Sequence, residues 1–282
     1  MKIYISIDME GLAGTFNWDQ EKGADRKYVR FAMEEQLRWM LKGIVASKAN
    51  DEIDEICIAD SHGNGDNVSF EFTKRDPRLQ LISGSPRPNY MMPAFSKEYD
   101  HVFLLGYHAP AGMQEASMDH TYSSSSISSL KINGKKMSEA EINGAYAAFF
   151  GVPVSLITGD LALSKHLRKN DNFQDALFVV NKEALSRYSA KSPSLALLEE
   201  RNSKAVIKVL DEDTDKGASP QMPFDAPFEL LIELTSTAKT DVVALMPSAE
   251  RLEGRTVRLV NNDYQSIFEA ITAIALLASH GK

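Results

Sequence analysis

"KIYISIDMEG", residues 2–11, is the stretch on which the reading of this chain turns. Ile3, Ile5, Ile7 and Met9 alternate with Tyr4, Ser6, Asp8 and Glu10, the period-2 pattern of a half-buried β-strand. Asp8 and Glu10 then share one face at its end. A polar side turned to water explains two such carboxylates as readily as a binding site does. Their meaning depends on what the rest of the chain brings beside them.

Outward from this strand, β-type and α-type patterns alternate. "RKYVRFAMEEQLRWMLKGIVAS" (26–47) reads as an amphipathic helix, and "IDEICIAD" (53–60), "RLQLISG" (78–84) and "HVFLLGYH" (101–108) read as strands. "EINGAYAAFF" (141–150) reads as a helix feeding the strand "VPVSLITGD" (152–160). This alternation predicts an α/β fold with a three-layer, mostly parallel, Rossmann-like sheet. Short apolar strands flanked by polar turns suit a sheet covered by helices on both faces.

Residues 110–136, "PAGMQEASMDHTYSSSSISSLKINGKK", interrupt the alternation and end on Asn133-Gly134, a hairpin signal. The serine run fits a flexible surface loop, and its place after a strand end also suits a substrate-binding loop. Further on, "LALSKHLRK" (161–169) and "SLALLEERNSKAVIKVL" (194–210) read as helices, and "DEDTDKGASPQMPFDAP" (211–227) as a turn-rich segment. "FELLIEL" (228–234), "TDVVALM" (240–246) and "TVRLVNND" (256–263) read as strands before a final helix, "YQSIFEAITAIALLAS" (264–279). The expected organisation is an α/β catalytic domain over 1–190, with a loop insertion at 110–136, and a smaller α+β domain over 191–282.

The 282 residues carry a net charge of -8, 43% hydrophobic and 25% charged residues, an ordinary globular composition. No dense basic run is present to neutralise phosphates, which argues against a nucleic-acid partner. The longest apolar stretch, "AITAIALLA" (270–278), falls well short of the roughly 20 residues that span a bilayer. The first residues enter a strand without the apolar core of a signal peptide. Cys57, the single cysteine, lies in an apolar run and is expected in the core; a cytoplasmic location is the matching expectation.

In open parallel sheets, ligands bind beyond the carboxyl ends of the strands. There the first strand brings Asp8 and Glu10, "EICIAD" followed by "SHGNG" brings Asp60 and His62, and "HVFLLGYH" brings His108. Acids and imidazoles from three strands meeting at one edge form a donor set for zinc or another divalent metal. A further acid stands in "SEAEINGAYAAFF" (138–150), where spacing alone leaves Glu139 and Glu141 open and either also suits the first turn of a helix. His120 lies in "MDHTYSS", inside the loop after His108, and suits a proton donor or an electrostatic stabiliser. His101, expected to be exposed, His166 on a charged helix and His280 in the tail are read as structural.

These residues resemble a known family. "SIDMEG" matches the SxDxEG signature of the D-aminopeptidases of the DppA type, the M55 metallopeptidases. "DSHG", "GYHAPAG", "DHTYS", the block "SEAEINGAYAAFFGVPVSLITGD" and "SAERLEGRTVRL" follow in the family's order, so the resemblance covers nearly the whole chain. It implies two zinc ions per subunit, bridged by Asp8 and bound also by Glu10, His62, His108 and Glu139. Glu139 is favoured over Glu141 because the family's glutamate stands twelve residues before the glycine of "GVPV". His120 matches the active-site histidine, and Asn143 an asparagine that follows the metal-binding glutamate. The His108 to His120 spacing is slightly longer than the family's.

The resemblance further implies a zinc aminopeptidase acting on short peptides with N-terminal D-residues, and a homo-oligomer, a decamer, with its active sites facing an internal channel. An L-specific peptidase or amidase, and a non-catalytic peptide-binding protein linked to dipeptide uptake, are the alternatives. A two-metal phosphoesterase is disfavoured by the lack of a P-loop or an arginine cluster near the motifs.

Overall fold

The computed structural model describes residues 1–170, 173–212 and 222–281. β1 (Lys2–Ile7) leads through a turn and short 3-10 segments to α1 (Arg26–Ala46), followed by β2 (Glu55–Asp60), β3 (Leu79–Ile82) and β4 (His101–Tyr107). β5 (Ile127–Ile132) and β6 (Lys135–Lys136) form a hairpin, and α2 (Glu139–Phe149) runs into β7 (Val154–Asp160). α3 (Leu161–Lys169), β8 (Leu177–Ser186), β9 (Ser189–Lys191) and α4 (Leu195–Glu212) come next. The chain closes with β10 (Phe228–Leu234), α5 (Thr237–Val243), β11 (Glu250–Arg251), β12 (Thr256–Asn261) and α6 (Tyr264–His280).

Seven strands form one sheet in the order β3-β2-β1-β4-β7-β8-β9, parallel throughout except for β9. The strand order runs outward in opposite directions from β1 and β4, a topological switch that opens a crevice at their carboxyl ends. A second, antiparallel sheet has the order β11-β12-β10-β5-β6. The 110–136 segment therefore supplies two strands to it, with Asn133 and Gly134 at φ +47° and +77° in the predicted turn.

One core, containing Ile3, Ile5 and Ile7 of β1, packs beneath α1 and α4; the other, containing Tyr4, Val102 and Leu104, packs beneath α2, α6 and the second sheet. Both faces of β1 are thus covered, and the half-buried alternation expected for it is corrected: Tyr4 and Ser6 are as buried as the isoleucines. Cys57 is a free thiol in the core, as expected. "TDVVALM" is not a strand. Its first residues lie in α5, because the Ser236 side chain caps the Lys239 amide and starts a helix despite the β-branched residues.

His101 is buried, not exposed, with Nδ1 2.8 Å from the Ser155 hydroxyl. Most of the turn-rich 211–227 segment lies outside the described residues. No helix among the described residues is long and apolar enough to cross a membrane.

Candidate metal centre

The switch between β1 and β4 is where the site forms. Asp8 follows β1 and its amide bonds to Leu105 O of β4 (2.8 Å); the Gly11 amide bonds to Gly106 O (2.7 Å). The two chains touch so closely that a Cβ on Gly11 would lie 1.9 Å from Tyr107 O, and one on Gly106 (φ +70°) 2.2 Å from Asp8 O. Glycine at both positions lets the Asp8–Glu10 turn lie against the end of β4, which delivers His108. His62 arrives just beyond β2. Asp60, two residues before it, points elsewhere: its carboxylate accepts from the amides of Asn67 (2.6 Å) and Val68 (2.8 Å) and shapes the 61–68 loop.

Asp8, Glu10, His62, His108, His120 and Glu139 are all brought together and buried. Asp8 Oδ1 lies 3.0 Å from His62 Nδ1, and Oδ2 lies 3.6 Å from His108 Nε2. Glu10 Oε2 lies 2.9 Å from His62 Nδ1, out of line for a hydrogen bond, and Oε1 accepts from the Trp18 indole N–H (2.7 Å). Glu139 Oε1 is 3.5 Å from His108 Nε2 and 3.6 Å from His120 Nε2, and accepts from the Tyr122 amide. Donor atoms of Asp8, Glu10 and His108 gather closely enough for one ion, as do those of His108, His120 and Glu139.

The structure separates the two glutamates that spacing left open. Glu139 turns into this centre. Glu141, two residues on and so about 200° round the helix, turns away to Ser138, His166 and Asn170.

Asp8 Oδ2, Glu10 Oε2 and His108 Nε2 are buried without a hydrogen bond. Buried polar atoms are nearly always paired, so such a cluster calls for a ligand. The tautomers agree. His108 Nδ1 lies 3.0 Å from Ala109 O and His120 Nδ1 3.0 Å from Met118 O, so each Nδ1 donates to the backbone and each Nε2 is left facing inward.

The electrostatics also favour cations. Burial pushes the Asp8 carboxyl up to about 8, with Glu10 adding to the effect. Burial opposes charge on His62, but Glu10 and Asp8 outweigh it and raise the imidazole well above its usual range. Burial likewise opposes charge on His108, and Glu139 overcomes it, raising His108 to about 10. The same partners pull Glu10 and Glu139 down against their own burial. His120 moves the other way, lowered by burial and by His108, which stacks on it at 4.2 Å. The donor set therefore fits divalent metal ions, with oxygen and nitrogen atoms of the kind zinc takes.

A cleft of about 240 Å³ opens onto these residues, with Trp18, Glu21, Tyr90 and Tyr122 among its walls. Sequence reasoning missed these four. Trp18 and Glu21 stand in "FNWDQE", a short distance past "SIDMEG", and an indole among polar turn residues was the available signal. Glu21 Oε2 lies 3.2 Å from His62 Nε2. Tyr90 and Tyr122 stack at 5.3 Å with φ of +40° and +62°, a conformation that bulky residues seldom adopt and that clusters at functional sites.

A family model for peptidase M55, described as D-aminopeptidase, matches residues 1–273. The chain belongs to the M55 family. It is thereby a metallo-aminopeptidase, a hydrolase. A D-aminopeptidase of Bacillus subtilis (strain 168) is 28% identical over 99% of this chain and 98% of its own length. The solved structure of the Zn-dependent D-aminopeptidase DppA from Bacillus subtilis, described as a self-compartmentalizing protease, superposes with a TM-score of 0.88 at 25% identity, covering 99% of this chain and 98% of the other. The M55 resemblance seen in the motifs and the mixed α/β fold both stand.

Proposed function

We propose that this M55 chain is a zinc-dependent aminopeptidase that hydrolyses short peptides with N-terminal D-residues at a dinuclear centre. Asp8 carries the reading. Its two oxygens face two different imidazoles, His62 at 3.0 Å and His108 at 3.6 Å, as a carboxylate shared by two ions requires. Asp8, Glu10 and His62 would hold one ion, and Asp8, His108 and Glu139 the other. When bound, two divalent ions supply Lewis acidity that activates water and polarises the scissile carbonyl.

The chain's own groups do the rest. His120, which burial holds toward the neutral form, offers Nε2 as a proton acceptor at the inner wall of the cleft. It takes a proton from the attacking water and gives it to the leaving amine. The cleft is lined by Asp8, Glu10, Glu21 and Glu139, with no Lys or Arg among its lining residues. Asp8, Glu10 and Glu139 are taken up by the ions, which leaves Glu21 as the lining carboxylate that can meet a substrate's α-ammonium. The D-stereochemistry follows the family and its Bacillus subtilis relative. The relative's self-compartmentalizing assembly supports a homo-oligomer, with a decamer as the expected form.

The test pairs elemental analysis with release of amino acid from matched D- and L-dipeptides. Two zinc per chain with D-selective release is expected. Two zinc with L-selective release overturns the stereochemistry, and no metal with no release on adding zinc overturns the enzyme reading in favour of peptide binding.

A further inference from the structure

Lys182, midway along β8, is fully buried, an unusual place for a lysine. Among the described residues it makes no ion pair. Its Nζ donates to Thr15 O (2.6 Å) and to the Thr15 hydroxyl (3.1 Å). That hydroxyl in turn reaches Leu12 O (2.8 Å) and Met9 O (2.9 Å), so Lys182 and Thr15 together clasp the turn from Met9 to Thr15. Glu10 stands in this turn. The next residue back on β8, Asn181, directs its amide to Gly11 O (3.4 Å) and to Gln36 Oε1 (3.0 Å), tying the same turn to α1. Burial lowers the Lys182 ammonium to about 8 while Asp160, Glu10 and Asp8 work to keep it charged, so it lies within the field of the centre.

We propose that Lys182 is a positioning residue for the Glu10 half of the metal centre: through Thr15 it fixes the Met9–Thr15 turn and with it the direction in which Glu10 presents its carboxylate. The inference rests on the reading of Glu10 as a metal ligand. It explains why a costly buried cation is retained without a carboxylate partner. An apolar side chain of the same length would fill the space but leave Thr15 O and the turn unheld.

Three roles for Lys182 give three different signs. If it positions Glu10, removing it weakens the ion that Glu10 holds. If it acts only through its charge, removing a cation beside two divalent ions tightens them. If it only packs, metal affinity stays constant while stability falls.

The experiment titrates metal-free full-length wild type, Lys182→Met and Thr15→Val with Co²⁺, following visible absorption and heat, with Tm recorded for each metal-free protein. Glu10→Gln identifies the equivalent that depends on Glu10. In Lys182→Met that equivalent is expected to weaken by about 10–100-fold, the usual effect of losing an outer partner of a ligand, with the other changed by less than about 3-fold. Thr15→Val, nearly isosteric, should move the same equivalent in the same direction by less, and decides the matter alone if Lys182→Met does not fold. Unchanged affinities with a lowered Tm, or tighter binding, would overturn the proposal. A wild type that binds no Co²⁺ would instead overturn the metal reading of the centre, and this inference with it.

Discussion

Glu139 and Glu141 are two residues apart on one helix, and exchanging each for glutamine should produce opposite failures. The Glu141 carboxylate accepts from the Ser138 amide (2.7 Å), the Ser138 hydroxyl (2.8 Å) and His166 Nε2 (2.8 Å) on one oxygen, and from Asn170 (3.0 Å) on the other. Glutamine has one carbonyl oxygen. Either its amide meets the Asn170 amide, donor to donor, or it meets the Ser138 and His166 donors. At least one buried bond and the charge assistance are lost, a cost of about 1–3 kcal/mol, or roughly 2–12 °C in Tm for a chain of this size. The loss depends on pH. His166 and the other donors hold the Glu141 carboxyl below its unfolded value, against burial. A depressed acid stabilises the fold fully above its unfolded pKa, near 4.5, and loses that contribution as pH falls through the folded value. The Tm gap between wild type and Glu141→Gln should therefore be full at pH 7 and narrow below about pH 4.5. Glu141→Gln keeps two metals per chain; Glu139→Gln loses metal. Thermal melts across pH with metal analysis of both variants check this. A Glu141→Gln protein of unchanged Tm that has lost its metal would refute the assignment.

Asp8→Asn should lose both ions and all activity, because it removes the shared carboxylate; full metal content by elemental analysis would disprove sharing. His120→Ala should retain two metals yet lose about 10²–10⁴-fold in kcat, the usual worth of a positioned acid–base group; depleted metal in that variant would make His120 a ligand instead. His62 and His108 hold protons above their usual range in the metal-free chain. Loading zinc must therefore release protons, and affinity must rise with pH. Calorimetry in buffers of different ionisation heat measures the release, and a pH-independent affinity would contradict the donor set.

What the sequence disclosed and what it withheld divide along a physical line. Strands such as "HVFLLGYH" and "EICIAD", and the capped helix that starts at Glu139, declare themselves through local periodicity and capping, and all appear in the structure. Asp8, Glu10, His62 and His108 were also legible, because acids and imidazoles stood at predicted strand ends, whereas His120 lay in a loop and Glu139 was told from Glu141 only by the family resemblance. "TDVVALM" misled because its β-branched residues outweighed a single capping serine just before it. The second sheet was only half visible, since β5 takes its place by pairing with β10, almost a hundred residues away.

The residues that support the site were illegible for the same reason. Neither Lys182 in "VVNKEALS" nor Trp18 carries a local signal of its role. Their roles exist only through contacts made across 167 residues to Thr15 in one case, and inward to Glu10 in the other. The two carboxylates of "SIDMEG" follow the same logic at closer range. Nothing in the alternation of β1 distinguishes a solvated edge from a metal site. The strand order distinguishes them, because β4 lies beside β1 and sets His108 against Asp8. Two acids that water would have explained become a demand for cations once burial removes the water and two imidazoles close round them.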